Sequence, residues 1–490
     1  MFRTVFYAVI LSLPFVFPVM AFSQGKPDDG HLTLRSAEEI QDKIRGGLIG
    51  QIFANLNGIQ YEMRFIDEPG NVTDYTPALP DGAEADDDTD IEWVYVVAMQ
   101  EHGLFVPYDT LSAIWQRKIN RHIWCSHQYV RHLLSLGVSP EVTGAASVNP
   151  WAEFNIAGQF TCEMFGQMSP LMPQSASRLA THYLIIPVDA EPLQTTQFFA
   201  SMISAAFEEN DISTLLDIGL LAVDPESQVA GVIRQTRIWC AENPTDWRKT
   251  RRLIRDAYTR NGGNIRDRNG YELNTAATVA ALVYGQGDYV QTATYAFNFG
   301  WDCDNTAATA GTILGVICGN QWFRNQGWVC KDVYKNTRRD DMPSDETITS
   351  FGDRLIEMAE KHIVASGGQI LDSDDGKVYA IKAEQPKNVL SIKELKRIRE
   401  ETFALTRTRI TQEFDSQENA AALAGIAYLA LCLDCADDLE QKSPSKWSQA
   451  IDAINRQEVF LKYVFKDTDF SSADSLKQKL QASGVVYVSK

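Results

Sequence analysis

Two rows of small residues place the tightest constraint on how this chain folds. Gly46, Gly50 and Ala54 recur every four residues in one apolar stretch, and Ala307, Gly311, Gly315 and Gly319 do so in another. At that spacing each row lines one face of a helix. Glycine within a helix costs about 1 kcal/mol relative to alanine, so a repeated row points to backbones that approach closely. Ile40, Ile44, Leu48, Ile52 and Leu56 run beside the first row as a buried helical stripe. Ile313, Leu314, Val316 and Ile317 stand beside the second. Both helices are expected at the crowded centre of the fold. Ser36-Ala37-Glu38-Glu39 has the form of a capping box opening the first.

Each of two acidic clusters precedes an apolar helical run. Asp86-Asp87-Asp88-Thr89-Asp90 leads into Ile91, Val94, Tyr95 and Ala98, and Asp302-Cys303-Asp304-Asn305-Thr306 leads into the second glycine row. One carboxylate at a helix N-terminus is favoured by the free N–H groups and the dipole. An acidic cap is therefore one reading, but three consecutive carboxylates exceed that need. Two carboxylates about 4 Å apart repel by roughly 4 kcal/mol near a protein surface, so a fold that gathers both clusters needs a cation. Oxygen donors of this kind suit Mg²⁺, Mn²⁺ or Ca²⁺. An EF-hand is excluded by register, because Ala307 stands where that loop needs Gly and Ile313 where it needs Glu. In an extended Asp-x-Asp turn Asp302 and Asp304 point one way and Cys303 the other.

Helical periodicity dominates the remainder. Helices are expected near 89–102, 109–136, 157–167, 174–184, 194–208, 211–221, 226–242, 246–260, 272–284 and 288–298. Gln369-Ile370-Leu371 and Lys377-Val378-Tyr379-Ala380-Ile381 flank an Asp-rich turn and read as a hairpin. Past a boundary near 385 the chain becomes richer in Lys, Glu and Gln, with helices expected at 391–413, 417–437, 445–465 and 472–482. The organisation expected is a leader at 1–23, a main domain at 24–368, a hairpin linker at 369–385 and a C-terminal helical extension at 386–490.

The 490 residues carry a formal net charge of −19. With no basic tract to offset it, nucleic acid and anionic membrane are excluded as sequence-independent partners. Arg3, the apolar run Val5–Phe22 and the small residues Ala21 and Ser23 form a secretory signal pattern cleaved before Gln24. An uncleaved anchor is the alternative. The expectation is a periplasmic or secreted protein with no stable membrane insertion after cleavage. Eight Cys are too few for a disulfide scaffold, and Cys432 and Cys435 either pair or are buried. His122, His127 and His132 are five apart and share no helical face.

The chain resembles the ADP-ribosylglycohydrolases from about Ala37 to Gly319, with a weaker tail to about Gly368. Three blocks carry the resemblance: Gly47-Leu48-Ile49-Gly50 through Gly58-Ile59-Gln60-Tyr61-Glu62; Asp86-Asp87-Asp88-Thr89, similar to Thr-Asp-Asp-Thr; and Gly300-Trp301-Asp302-Cys303-Asp304-Asn305-Thr306, similar to Gly-Gly-Asp-Thr-Asp-Thr. The resemblance implies an all-α fold holding two divalent ions, Mg²⁺ or Mn²⁺. Asp87, Asp88, Asp302 and Asp304 would be ligands. Asp86 stands where the family has Thr, and Asn305 where it has Thr or Ser, and both still offer oxygen. Glu62 would position or deprotonate the attacking water, with Asp88 or Glu62 as acid/base. The implied reaction is hydrolysis at C1 of a ribose, through oxocarbenium-like charge that carboxylates stabilise.

The family's Gly-Asn-Gly phosphate loop is replaced by Gly144-Ala145-Ala146-Ser147-Val148-Asn149-Pro150-Trp151-Ala152-Glu153. Ser147, Asn149 and Glu153 are the candidate ligand contacts if this loop lines the pocket; otherwise it is surface. Pro150 removes one N–H donor. Trp301 either stacks on the substrate or wedges two helices. The leading expectation is an exported hydrolase of ADP-ribosyl-type substrates. A hydrolase of another N-riboside or glycoside is the rival enzyme. A metal-stabilised binding protein, whose extension recruits an unknown partner, is the non-catalytic alternative.

Overall fold

The computed structural model describes residues 32–374 and 376–487. The expected leader at 1–23 and Asp375 of the hairpin turn lie outside them.

Ser36 caps the first helix, Ala37–Gly58, its Oγ accepting the Glu39 N–H at 3.5 Å. The glycine rows meet: Gly46 and Gly50 face the carbonyl oxygens of Gly315 and Gly311, and the reverse holds from the helix Cys303–Cys318. A Cβ at any of these four positions would collide with the backbone opposite. This pair makes the most extensive helix–helix contact among the described residues. The fold around it is all-α, as the periodicity requires.

Two small sheets tie distant segments together. Gly376–Ile381 pairs with Gln369–Ser373, as the hairpin pattern requires, and its other edge takes Thr33–Ser36, with Thr33 opposite Ile381. A two-residue parallel pairing sets Ala83–Glu84 against Tyr334–Lys335. It returns the chain at 338 to the start of the helix Asp87–His102.

Several expected helices are interrupted. The stretch 109–136 forms two, Tyr108–Lys118 and Cys125–Ser135, and His122 between them and Cys125 at the start of the second both have φ 47°. Left-handed backbone at non-glycine residues is strained. The stretch 157–167 divides into Ala157–Phe160 and Glu163–Gln167. The stretch 445–465 becomes Pro444–Asn455, Glu458–Lys462 and a π-helical turn, Tyr463–Asp467.

The extension packs on the rest of the chain. One continuous core runs from Ala37 into Leu480 and Val485. On the buried helix Ala420–Cys432, the Tyr428 hydroxyl lies 2.6 Å from the Tyr129 hydroxyl and donates to the Val148 carbonyl at 2.7 Å. Arg399 reaches the Glu141 carbonyl at 2.6 Å and Asp189 at 3.2 Å. Cys432 and Cys435 are buried and unpaired. Among the described residues no helix is long and apolar enough to cross a membrane.

Candidate metal and substrate site

Asp86 and Asp302 are the N-cap residues of the helices Asp87–His102 and Cys303–Cys318, yet neither side chain makes a capping hydrogen bond. Capping does not account for these carboxylates. The two helix starts instead converge on one another. Carboxylate oxygens of Asp86, Asp88 and Asp304 lie within 4.8 Å of one another, and so do those of Glu62, Asp302 and Asp304. Asp304 belongs to both triads.

Local backbone explains how Glu62 arrives. The first helix ends at Gly58, where a Cβ would press on the Asp304 Cα. A single 3-10 turn, Ile59–Tyr61, then delivers Glu62. Cys303 is fully buried with its Sγ 4.0 Å from the Gly58 carbonyl oxygen, and because it opens the helix Cys303–Cys318 the extended Asp-x-Asp turn expected here does not form.

Neutral amides hold the carboxylates. Asn55 Nδ2 donates to Asp88 at 2.5 Å and to Asp86 at 3.3 Å. Asn305 Nδ2 donates to Asp88 at 3.0 Å, and Asn269 Nδ2 to Asp302 at 3.1 Å. These donors order the cluster without cancelling its charge. Burial is the largest influence on Asp88 and raises its pKa far above the carboxylate range, with Asp304 adding to it. Burial and then Asp302 do the same for Asp304. Asp302 is pushed up to about 7, by burial and then Glu62. Glu62 rises as well, by burial and then Asp86.

The donor set fits hard cations. Among the described residues, buried Asp304 Oδ1, Asn305 Oδ1 and Asn55 Oδ1 have no hydrogen-bond partner, and an unsatisfied buried polar atom costs about 1–3 kcal/mol. Cations at two positions sharing one carboxylate would satisfy these oxygens and offset the repulsion. Thiol and imidazole are absent from both triads, so the set does not favour a soft metal.

Asp87 stands apart from both triads. Its Oδ1 takes the Arg338 Nη1 at 3.1 Å, while Asp86 takes Nη2 at 2.7 Å. Thus Asp86, in the family's Thr position, joins the cluster, and Asp87 faces a guanidinium. The sequence reading missed Arg338. Its neighbour Arg339 forms a fully buried ion pair with Asp90 at 2.7 Å, and burial still lifts Asp90 to about 7.

The cluster forms part of a cavity of about 770 Å³. Other parts of its wall come from Trp124 and Cys125, at the break in the expected helix, from Trp151 and Asn155, and from Tyr463, Lys466 and Asp467 of the extension. Trp124 is 62% exposed. The expected ligand contacts lie elsewhere. Ser147 is exposed on a turn and Glu153 half-buried, neither lining the cavity. Asn149 is spent internally, Nδ2 donating to the Ser126 carbonyl and Oδ1 accepting the Trp151 N–H at 3.1 Å. Trp301 is fully buried in a separate cluster, with the Arg251 guanidinium 4.2 Å from its ring centre. Of the two roles open to Trp301, the structure places it in the wedge.

Residues 36–363 match the model of the family described as ADP-ribosylglycohydrolase. A solved structure titled "ADP-ribosylglycohydrolase-related protein complex" is similar at 15% identity, covering 66% of this chain and 99% of that one, with a TM-score of 0.42. No curated protein matches the chain.

Proposed function

The chain belongs to the ADP-ribosylglycohydrolase family, and from that premise we propose that it is a divalent-metal-dependent hydrolase acting at C1 of a ribose. The observation that carries the reading is Asp304, shared by two carboxylate triads at the wall of one cavity. Asp86, Asp88 and Asp304 would hold one ion, and Glu62, Asp302 and Asp304 the other. Bound Mg²⁺ or Mn²⁺ supplies Lewis-acid stabilisation of charge developing on oxygen.

The chain's own groups account for the rest. Asn55 and Asn305 fix the Asp88 carboxylate, and Asn269 fixes Asp302. The ribose hydroxyls would be oriented over this framework. Glu62 is more exposed than the other carboxylates, and its pKa is raised by burial and Asp86. It is suited to take a proton from the attacking water and return it to the leaving group. The remaining carboxylates stabilise positive charge at C1. Both Asp88 carboxylate oxygens already accept an amide N–H, so we assign the proton transfer to Glu62 and a positioning role to Asp88.

ADP-ribosyl substrates are the first to test. Another riboside is favoured by one observation: Ser147 and Asn149 do not reach the cavity, while Trp151 does. Release of ADP-ribose from Arg-linked and Ser-linked peptides, run beside a panel of simple ribosides with and without Mg²⁺, separates the two. No cation-dependent product from any of them would refute the proposal. Export through residues 1–23 is part of the same reading, and N-terminal sequencing of protein recovered outside the cytoplasm checks it.

A further inference from the structure

The family match ends at residue 363, but the cavity does not. Tyr463, Lys466 and Asp467 line it from the π-helical turn of the extension. Such turns are rare and are frequently found at functional sites. The turn is held firmly: the Tyr463 ring packs 4.9 Å from His132, and Phe470 sits edge-on to Trp151 at 5.1 Å.

The lining also carries polar nitrogens without partners. Trp151 is 3% exposed, and its indole N–H has no hydrogen-bond acceptor among the described residues. The same holds for Nε2 of His127, which is 2% exposed. Leaving the indole N–H unsatisfied costs about 1–3 kcal/mol, a cost that an oxygen-rich ligand reaching it from the cavity would remove. Two cations line the cavity, and Arg338 is already paired with Asp86 and Asp87. Lys466 is exposed and makes no ion pair among the described residues, in a chain of net charge −19. Asp467 lies beside it in sequence, and no ion pair joins the two among the described residues.

We propose that the extension completes the substrate site, with Lys466 and the Trp151 indole N–H binding a phosphate group of the substrate and Tyr463 walling it in. The proposal rests on the reading that a riboside occupies the cavity, and it narrows that riboside to a phosphorylated one. Lys466 then takes over, from outside the matched region, the anion recognition that residues 144–153 do not supply. It also gives the extension a role in specificity.

Calorimetric titration of the full chain with Mg²⁺ present provides the test, using ribose 5-phosphate against ribose and ADP-ribose against adenosine. The phosphorylated member of each pair should bind at least about tenfold more tightly, as a charged hydrogen bond allows. Lys466→Glu should abolish that advantage while leaving ribose and adenosine unchanged. Lys466→Arg should keep it, and Trp151→Phe, which retains the ring but not the N–H, should reduce it. A phosphate advantage that survives Lys466→Glu, or none in the parent protein, overturns the proposal. Turnover is read separately. A Lys466-dependent advantage without hydrolysis of any riboside would sink the hydrolase reading and leave this one standing, and hydrolysis indifferent to Lys466 would do the reverse.

Discussion

The Met63 backbone N–H donates to the Trp301 carbonyl at 2.8 Å, joining the residue after Glu62 to the residue before Asp302. Both hold left-handed backbone, φ 54° and 57°. Arg251 secures the junction, donating to the carbonyls of Phe65, Ile66, Asp67 and Phe299 at 2.6–3.1 Å while its guanidinium covers the Trp301 ring. Two site carboxylates far apart in sequence are thus positioned by one buried clamp.

A clamp and a substrate contact respond differently to mutation. Trp301→Phe should weaken the cation–ring contact by about 0.5–2 kcal/mol and lower the unfolding midpoint, with KM unchanged. Trp124→Ala should raise KM with little effect on stability, because that side chain is exposed at the cavity. A raised KM in Trp301→Phe would return that residue to the binding surface.

Glu62 and Asp304 should separate cation binding from proton transfer. Glu62→Gln leaves the Asp86–Asp88–Asp304 triad intact, so Mg²⁺ should still raise the melting temperature while turnover falls about 10²–10⁴-fold. Asp304→Asn touches both triads and should remove both responses. Saturating cation stabilises by about 2.7 kcal/mol at a hundred times its Kd, which a thermal shift resolves. Glu62→Gln with unimpaired turnover would dismiss Glu62 as the base.

The raised carboxylates predict an inverted pH profile for the metal-free protein. Burial pushes Asp302 up to about 7, and does the same to Glu163, which lies beside Glu92 behind the site. Their unfolded values are about 3.9 and 4.3. Between those limits the folded state holds protons that the unfolded state has released, so stability falls as pH rises through this window, and it goes on falling above 7 because Asp88 and Asp304 are raised further still. Cations compete with the same protons. Mg²⁺ should therefore raise the melting temperature more at pH 8 than at pH 5, and equal gains at both would contradict the assignment.

Gly315→Ala tests the helix pair. The new methyl group would meet the Gly46 carbonyl, and overpacking of this kind costs about 1–3 kcal/mol. Denaturant unfolding should report that loss, accompanied by a weaker thermal response to Mg²⁺ as the half-sites part. Full stability would mean that the two backbones have room to spare.

Legibility in the sequence followed the physics of each signal. The glycine rows, the Ser36 cap and the hairpin were readable because they depend on neighbours in the chain. The break at 119–124 was not, since no Gly or Pro marks it and non-glycine residues take the positive φ. Tertiary packing overrides the helical period there and carries Trp124 and Cys125 to the cavity. Arg338 was equally hidden, because the pairing that returns it spans two residues per strand, too short for a periodic pattern. The departure of residues 144–153 from a phosphate loop was visible as composition. Which of their side chains turn inward was not, because Asn149 satisfies its own loop and Trp151 fills the wall.

The glycine rows leave no side chain between the two central backbones. The separation of the helices Ala37–Gly58 and Cys303–Cys318 is therefore fixed by peptide groups, which do not vary with sequence, and not by side-chain volumes, which do. Substitutions elsewhere in the large apolar core can accumulate without retuning that gap. The helix pair is in this sense mutationally insulated, and the surrounding helices are free to drift in sequence while its spacing stays put.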